Sequence, residues 1–348
     1  MKKNNRIGIV GHFGGNLHFL DGQTVKTKIL YEELTAAGYR DIYCVDTYFN
    51  QKNKLKLIWD TFKCILLCKT IIILLSGNGM KIYFPMMYYA KRFFGKRVFH
   101  DVIGGNLASY VKKFPSYVKY LNSFDGNWVE FHQMKTELET LGIDNCKVIP
   151  NFKRLDTSEA NIMISEFDTN QFCMFSRVTE AKGITEAIQA ICKYNEEHTE
   201  QLRLNIWGPV EGAYKRQFDL LLENSGQAVN YQGCIDYSES VGALTGHLAL
   251  LFPTHWDGEG FPGTIVDAYT AALPVIASDW NANSELIENF QTGWVYPNEN
   301  LSSLYESIDW AIKNKQKMLE MRANCHKKAM EYTPEISMRI IIDELEKK

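Results

Sequence analysis

No apolar run in this 348-residue sequence is long enough to cross a membrane. The best candidate, "CILLCKTIIILL" at 64–75, contains Lys69 and falls far short of the roughly 20 residues a spanning helix needs. The opening stretch "MKKNNRIGIVGHFGG" is basic, but its apolar part is only a strand long and holds glycines, so it does not read as a secretory signal. Metal-ligand spacing is missing as well. Among eight cysteines, Cys64 and Cys68 stand four apart while Cys44, Cys146, Cys173, Cys192, Cys234 and Cys325 are scattered. No C-x-x-C pair or Cys/His cluster at zinc spacing results, and the set reads as reduced, buried thiols of a cytoplasmic protein. Short-period repeats and low-complexity tracts are also lacking.

The composition that is present, 45% hydrophobic and 23% charged, is that of a globular protein long enough for two domains. A net charge of −3 conceals an uneven distribution. Up to Leu155 there are 23 Lys+Arg against 12 Asp+Glu, and beyond it 15 against 29. A basic half suits an anionic partner. Within that half, residues 52–69, 91–97 and 110–120 mix Lys and Arg with aromatic and aliphatic side chains. Such segments fit peripheral contact with an anionic membrane. Ordinary amphipathic helices packed on a sheet are the simpler alternative. Nothing points to nucleic acid.

Short apolar runs alternate with helical periodicity throughout. "RIGIV", "DIYCVD", "IIILL", "KRVFHDV" and "GNWVEF" read as strands of a parallel sheet with helices on both faces. "KVIPNFKRLDTSEANIMISEFDTN" breaks the rhythm and places a domain boundary near residue 152. A second series follows: "FCMFSRV", "LRLNIW", "AVNYQG", "LALLFP", "LPVIAS" and "GWVYP". The expected organisation is therefore a Rossmann-like domain over 1–152 and a second over 153–333. The residues 334–348 form a last helix that packs back on the first. A long helix begins near Asn300 and Ser302, its plausible caps. Two doubly wound domains leave a cleft between the carboxyl ends of their sheets, where such folds bind ligands.

The loops after the strands hold the candidate chemistry. The glycines Gly8, Gly11, Gly14 and Gly15 are spaced G-x-x-G-x-x-G-G, which does not fit a dinucleotide fingerprint. Gly22, just before "QTVKTK", is a better helix start near an anion. Arg177 and Lys182 bracket the turn between a strand and a helix near Gly183, a cationic site for a diphosphate. Gly208, and Gly233 with the adjoining Cys234, end successive strands where backbone can approach a flat group such as a base. The loop "THWDGEGFPGT" is the most loaded, with acids Glu259 and Asp267 on either side of a helix start.

In order and spacing, "SRV…KG", "WG", "QG", "EGFPGTIVDAYTAALPVIASDW" and "SELIENFQTGWVYP" resemble the carboxyl domain of family 4 retaining glycosyltransferases of GT-B fold, bacterial surface-polysaccharide type. The resemblance implies two Rossmann-like domains facing each other across a cleft. It implies transfer of a hexosyl unit from a nucleotide-diphosphate sugar to a growing, lipid-linked glycan, with retention, without a metal and without a resident cofactor. UDP is the favoured base, and the inner face of the cytoplasmic membrane the expected place. Arg177 and Lys182 take the donor diphosphate, and Glu259 holds donor-sugar hydroxyls. The backbone at Gly260, Phe261, Pro262 and Gly263 approaches sugar and phosphates, and Asp267 accepts from the ribose. His100 resembles the histidine near the reacting sugar. Two departures stand out: Asp267 replaces the family's usual Glu, and Asp21-Gly22 keeps only half of its paired-glycine loop. A nucleotide-sugar epimerase of the same fold, or a non-catalytic sugar-nucleotide-binding subunit, are the alternatives.

Overall fold

The structure, a computed structural model, describes residues 6–15, 22–154, 168–297 and 301–347. They divide into two compact units, one of Met1–Lys153, Gly258–Phe261 and Pro334–Lys348, the other of Arg154–Asp257 and Pro262–Thr333.

The first unit is built on six parallel strands: β1 (Ile7–Gly11), β2 (Ile42–Asp46), β3 (Thr70–Ile73), β4 (Arg97–Asp101), β5 (Gly126–Val129) and β6 (Cys146–Val148). Their order is β2-β1-β3-β4-β5-β6, with Ile7 opposite Ile42 on one side and Thr70 on the other. Strands β1 and β3 are buried along their whole length, which is why they read as unbroken apolar runs. Strand β6 was not legible in the sequence series. It is three residues long and pairs only with β5. The helix Pro334–Glu346 belongs to this unit, and its Met338, Ile341 and Leu345 share a core with Ile7, Leu30 and Leu34. Arg97 caps its carboxyl end, donating to the carbonyls of Leu345 at 2.6 Å and Glu344 at 2.8 Å.

The second unit repeats the plan with β7 (Gln171–Phe175), β8 (Arg203–Trp207), β9 (Val229–Gly233), β10 (Ala249–Phe252), β11 (Val275–Ser278) and β12 (Gly293–Tyr296), in the order β12-β11-β10-β7-β8-β9. The expected long terminal helix is two, Leu301–Lys313 and Lys315–Ala329, broken at Asn314. There the Asn314 amide donates to the Trp310 carbonyl at 2.8 Å, competing with the helical ladder. Ser302 lies inside the first of these helices rather than capping it, and Asn300 lies outside the described residues.

Residues 64–75 are divided between the end of the helix Lys54–Leu67 and β3, and no helix among the described residues is long and apolar enough to cross a membrane. None of the cysteines is bonded, but burial is not general: Cys44 and Cys234 are exposed. In each sheet the strand order reverses beside its first strand, between β1 and β3 and between β7 and β10. Loops leaving the carboxyl ends of those strands are the natural ligand positions.

Candidate functional site

In the second unit, Arg177 follows β7 and Trp256 follows β10, so both sit at the switch point. The Arg177 guanidinium lies over the Trp256 indole, 4.0 Å from the ring centre. Lys182 Nζ is 4.9 Å from the same ring and 5.5 Å from that of Phe252. One indole thus carries two cations, whose mutual repulsion an anion would relieve. Local geometry fixes the lysine. It ends the 3-10 turn Glu180–Lys182, and Gly183 follows with φ +71. A β-carbon on Gly183 would collide with the Pro253 carbonyl oxygen, so the turn requires glycine. The His255 N–H donates to the Ala181 carbonyl at 2.9 Å, tying this turn to the Trp256 loop. Beside them opens a cavity of about 420 Å³, lined by Arg177, Thr179, Glu180, Tyr214, Gln217 and Trp256.

Pro262 is the N-cap of the helix Gly263–Thr270, and Asp267 is buried in its second turn. A first-turn carboxylate would be explained by the helix dipole, but that effect fades within one turn. The placement of Asp267 calls for another reason. Gly208 has φ +132, and a β-carbon there would collide with the Ser176 carbonyl oxygen. Its glycine is demanded from inside the fold, whatever approaches its backbone from outside. Gly233 also lies at positive φ with open space around it, and Cys234 beside it is exposed.

The other candidates belong to the first unit. Gly22 opens the helix Gly22–Ala36, with nothing near its missing β-carbon. The glycine loop after β1 is held from within: Asp46 accepts from the Phe13 N–H at 2.9 Å and the Gly15 N–H at 2.7 Å. These two donors are therefore committed to a side chain of the same unit. His100 on β4 is fully buried, edge-on to Phe84 at 4.9 Å, and neither ring nitrogen is hydrogen-bonded. Burial first, then the charge of Lys26, outweigh the opposing pull of the neighbouring Asn127 side chain, too poorly aligned for a full hydrogen bond, and hold the imidazole neutral, with a pKa lowered to about 3. An unsatisfied buried N–H costs about 1–3 kcal/mol, a cost that structures tolerate at functional positions. Contact with a sugar nonetheless requires the packing around His100 to open.

Glu259, Gly260 and Phe261 lie on a network that the sequence did not reveal. Lys26, buried in its helix, donates to Asp101 at 2.7 Å, Glu130 at 2.8 Å and the Val102 carbonyl at 2.9 Å. The second Glu130 oxygen accepts from the Phe261 N–H at 2.9 Å. That hydrogen bond commits the Phe261 N–H within the first unit. A β-carbon on Gly260 would come within 2.7 Å of Glu130 Oε2 and 2.8 Å of Gly104 Cα. Glu259, almost fully buried, is thus carried on a peptide clamped to Glu130. Burial opposes the charge on Lys26, but its two carboxylates win and raise its pKa. Asp101 is pushed up by burial, only partly offset by Lys26. Among the described residues, no group of three or more His, Cys, Asp or Glu is placed to hold a metal ion.

Two doubly wound parallel sheets, with these residues on the loops after their strands, are the architecture of the GT-B fold. The pattern of the family described as glycosyl transferases group 1 matches residues 158–332, just over half of the chain, and the chain belongs to this family. No curated protein matches it. Solved structures share the fold. Sucrose-phosphate synthase from Thermosynechococcus elongatus has a TM-score of 0.76 at 14% identity, covering 98% of this chain and 99% of its own. Anabaena Alr3699/HepE in complex with UDP gives 0.72 at 15% identity, over 98% and 99%. A variant of S. aureus TarM in complex with fondaparinux, alpha-GlcNAc-glycerol and UDP gives 0.65 at 17%, over 80% of this chain and 55% of TarM. This chain therefore spans little more than half the length of TarM.

Proposed function

We propose that the protein transfers a hexosyl unit from a UDP-sugar to a growing, lipid-linked glycan, with retention of configuration and without a metal, in surface polysaccharide synthesis at the inner face of the cytoplasmic membrane. The observation that carries the reading is the pair Arg177 and Lys182 on one indole at the switch point of the second sheet. A nucleoside diphosphate departs with charge developing on its phosphate. Fixed cations and the amino end of the helix Gly263–Thr270 supply what that charge needs. Carboxylates would repel the phosphates, so the partners of Glu259 and Asp267 are neutral hydroxyls. Glu259 accepts from the donor sugar and Asp267 from the ribose. Retention and the UDP base rest on the resemblance to family 4, and the UDP complexes of TarM and HepE support the base.

A thermal-shift panel of UDP, GDP, ADP and their sugars tests this reading, because a ligand bound only to the native state raises the melting temperature. UDP should stabilise the protein most, and excess EDTA should leave both the shift and the transfer rate unchanged. No shift with any nucleoside diphosphate refutes the donor site. A strict Mg²⁺ or Mn²⁺ requirement refutes the metal-free mechanism.

A further inference from the structure

The helix Lys54–Leu67 carries two apolar stripes. At 100° per residue, Leu57, Thr61, Cys64 and Ile65 fall on one side and are buried against the first unit. Leu55, Trp59, Phe62 and Leu66 fall on the opposite side, with Ile58 beside the boundary, and all five face solvent, Leu55 being 81% exposed. A helix that is apolar all round normally has apolar surroundings all round. The neighbouring helix Gly77–Phe94 repeats the arrangement: Met80, Phe84 and Met87 point inward, while Ile82, Tyr89 and Phe93 point outward, Phe93 being 70% exposed. The strands β2, β3 and β4 that these helices join run in one direction across the sheet, so right-handed crossovers put both helices on one face. Thr61 and Tyr83 hydrogen-bond between them at 2.9 Å, and Lys96 Nζ reaches the Leu66 carbonyl at 3.2 Å. Ten of the 17 exposed large hydrophobics of the described residues lie on these two helices, which makes this a patch and not scatter.

Charge chooses the occupant. Residues 49–96 hold nine Lys or Arg and one acid, Asp60, which Lys56 already engages at 2.7 Å. Lys54 stands at the amino end of the helix, and Lys56 and Lys63 run along one edge of the exposed stripe, with Lys63 Nζ 5.2 Å from the Trp59 ring centre. A second copy docking by the same face would meet it with its own nine cations. We infer that the outer faces of Lys54–Leu67 and Gly77–Phe94 dock on a lipid bilayer with anionic headgroups, apolar side chains entering the headgroup boundary and lysines meeting phosphates. The third segment expected to share in this, residues 110–120, does not. Val111 and Tyr117 are buried there, and it exposes no large hydrophobic. The inference names the surface for the membrane-side reading above, and its test needs neither donor nor acceptor.

Flotation with vesicles containing phosphatidylglycerol, against vesicles of phosphatidylcholine alone, decides the matter. Binding to the anionic vesicles that weakens with salt is expected, with a blue shift in emission that Trp59→Phe removes. Trp59→Ser with Phe62→Ser should weaken binding at least about tenfold. Each of Lys54→Gln and Lys63→Gln should weaken it about fivefold. All these side chains are outside the core, so far-ultraviolet circular dichroism and the UDP thermal shift should stay at wild-type values. Wild-type protein remaining unbound to anionic vesicles at low salt overturns the inference, whatever the UDP panel shows. So does a dimer in solution that the double serine variant separates, which would assign the face to a second copy.

Discussion

Replacing Lys26 with methionine keeps an unbranched side chain one atom shorter and removes its charge. The lysine ammonium has three partners at 2.7, 2.8 and 2.9 Å, two of them buried carboxylates. Without it, Asp101 and Glu130 confront each other with no cation. Breaking a buried pair in this way costs about 3–5 kcal/mol. An independent ceiling agrees: forcing one carboxyl to take a proton at pH 7 costs about 4 kcal/mol, at 1.36 per pH unit. The sign of the pH dependence follows. In the variant the folded pKa of the pair lies above its unfolded value, the direction burial already imposes on Asp101. Stability from such a group is present below the unfolded pKa, near 4, and is lost as pH rises through the folded one. The deficit should therefore shrink by about 1.4 kcal/mol per pH unit between pH 7 and 5. The wild type loses its own contribution from Lys26 only in strong alkali, since the ammonium pKa is raised. Hydrogen exchange of the β4 and β5 amides, corrected for intrinsic rates at each pH, reads the opening of the first unit. A deficit under about 1 kcal/mol at pH 7, or one that does not shrink at pH 5, refutes the reasoning.

Trp256→Leu should weaken binding of the free nucleoside diphosphate by about 0.5–2 kcal/mol, and Trp256→Phe should restore most of it, because the indole orients Arg177 and Lys182. Calorimetric titration checks it, and equal affinities for the two variants would remove the role. Glu259→Gln should lower kcat more than it weakens UDP binding. Asp267→Ala should do the reverse, by about 1.5–3 kcal/mol for a lost charged hydrogen bond. Wild-type UDP affinity in Asp267→Ala would end the ribose assignment.

The alternation of apolar runs and helical spacing made every strand but β6 legible, because parallel strands buried on both faces leave little choice of residue. That Arg177 and Lys182 share one turn after a strand was legible for a different reason, since that turn is local in sequence. The network around Lys26 was not. The buried residues of its helix are Thr24, Lys26, Thr27, Leu30 and Leu34, too polar a set for periodicity to mark as inward-facing. Its partners Asp101 and Glu130 stand on other elements, so no spacing links them. Trp256 lay in the loop singled out, yet only the fold brings its ring under Arg177.

Gly183 has a thermodynamic consequence. Because a bare backbone fits under the Pro253 carbonyl, the Lys182 turn and the Trp256 loop are hydrogen-bonded into one piece before any nucleotide arrives. Binding then has few torsions left to freeze around the diphosphate. The affinity should therefore show a small entropic penalty and depend mainly on the enthalpy of desolvating and pairing charge. A bulkier residue at 183 would reverse that balance by leaving the lysine turn to be ordered by the ligand itself.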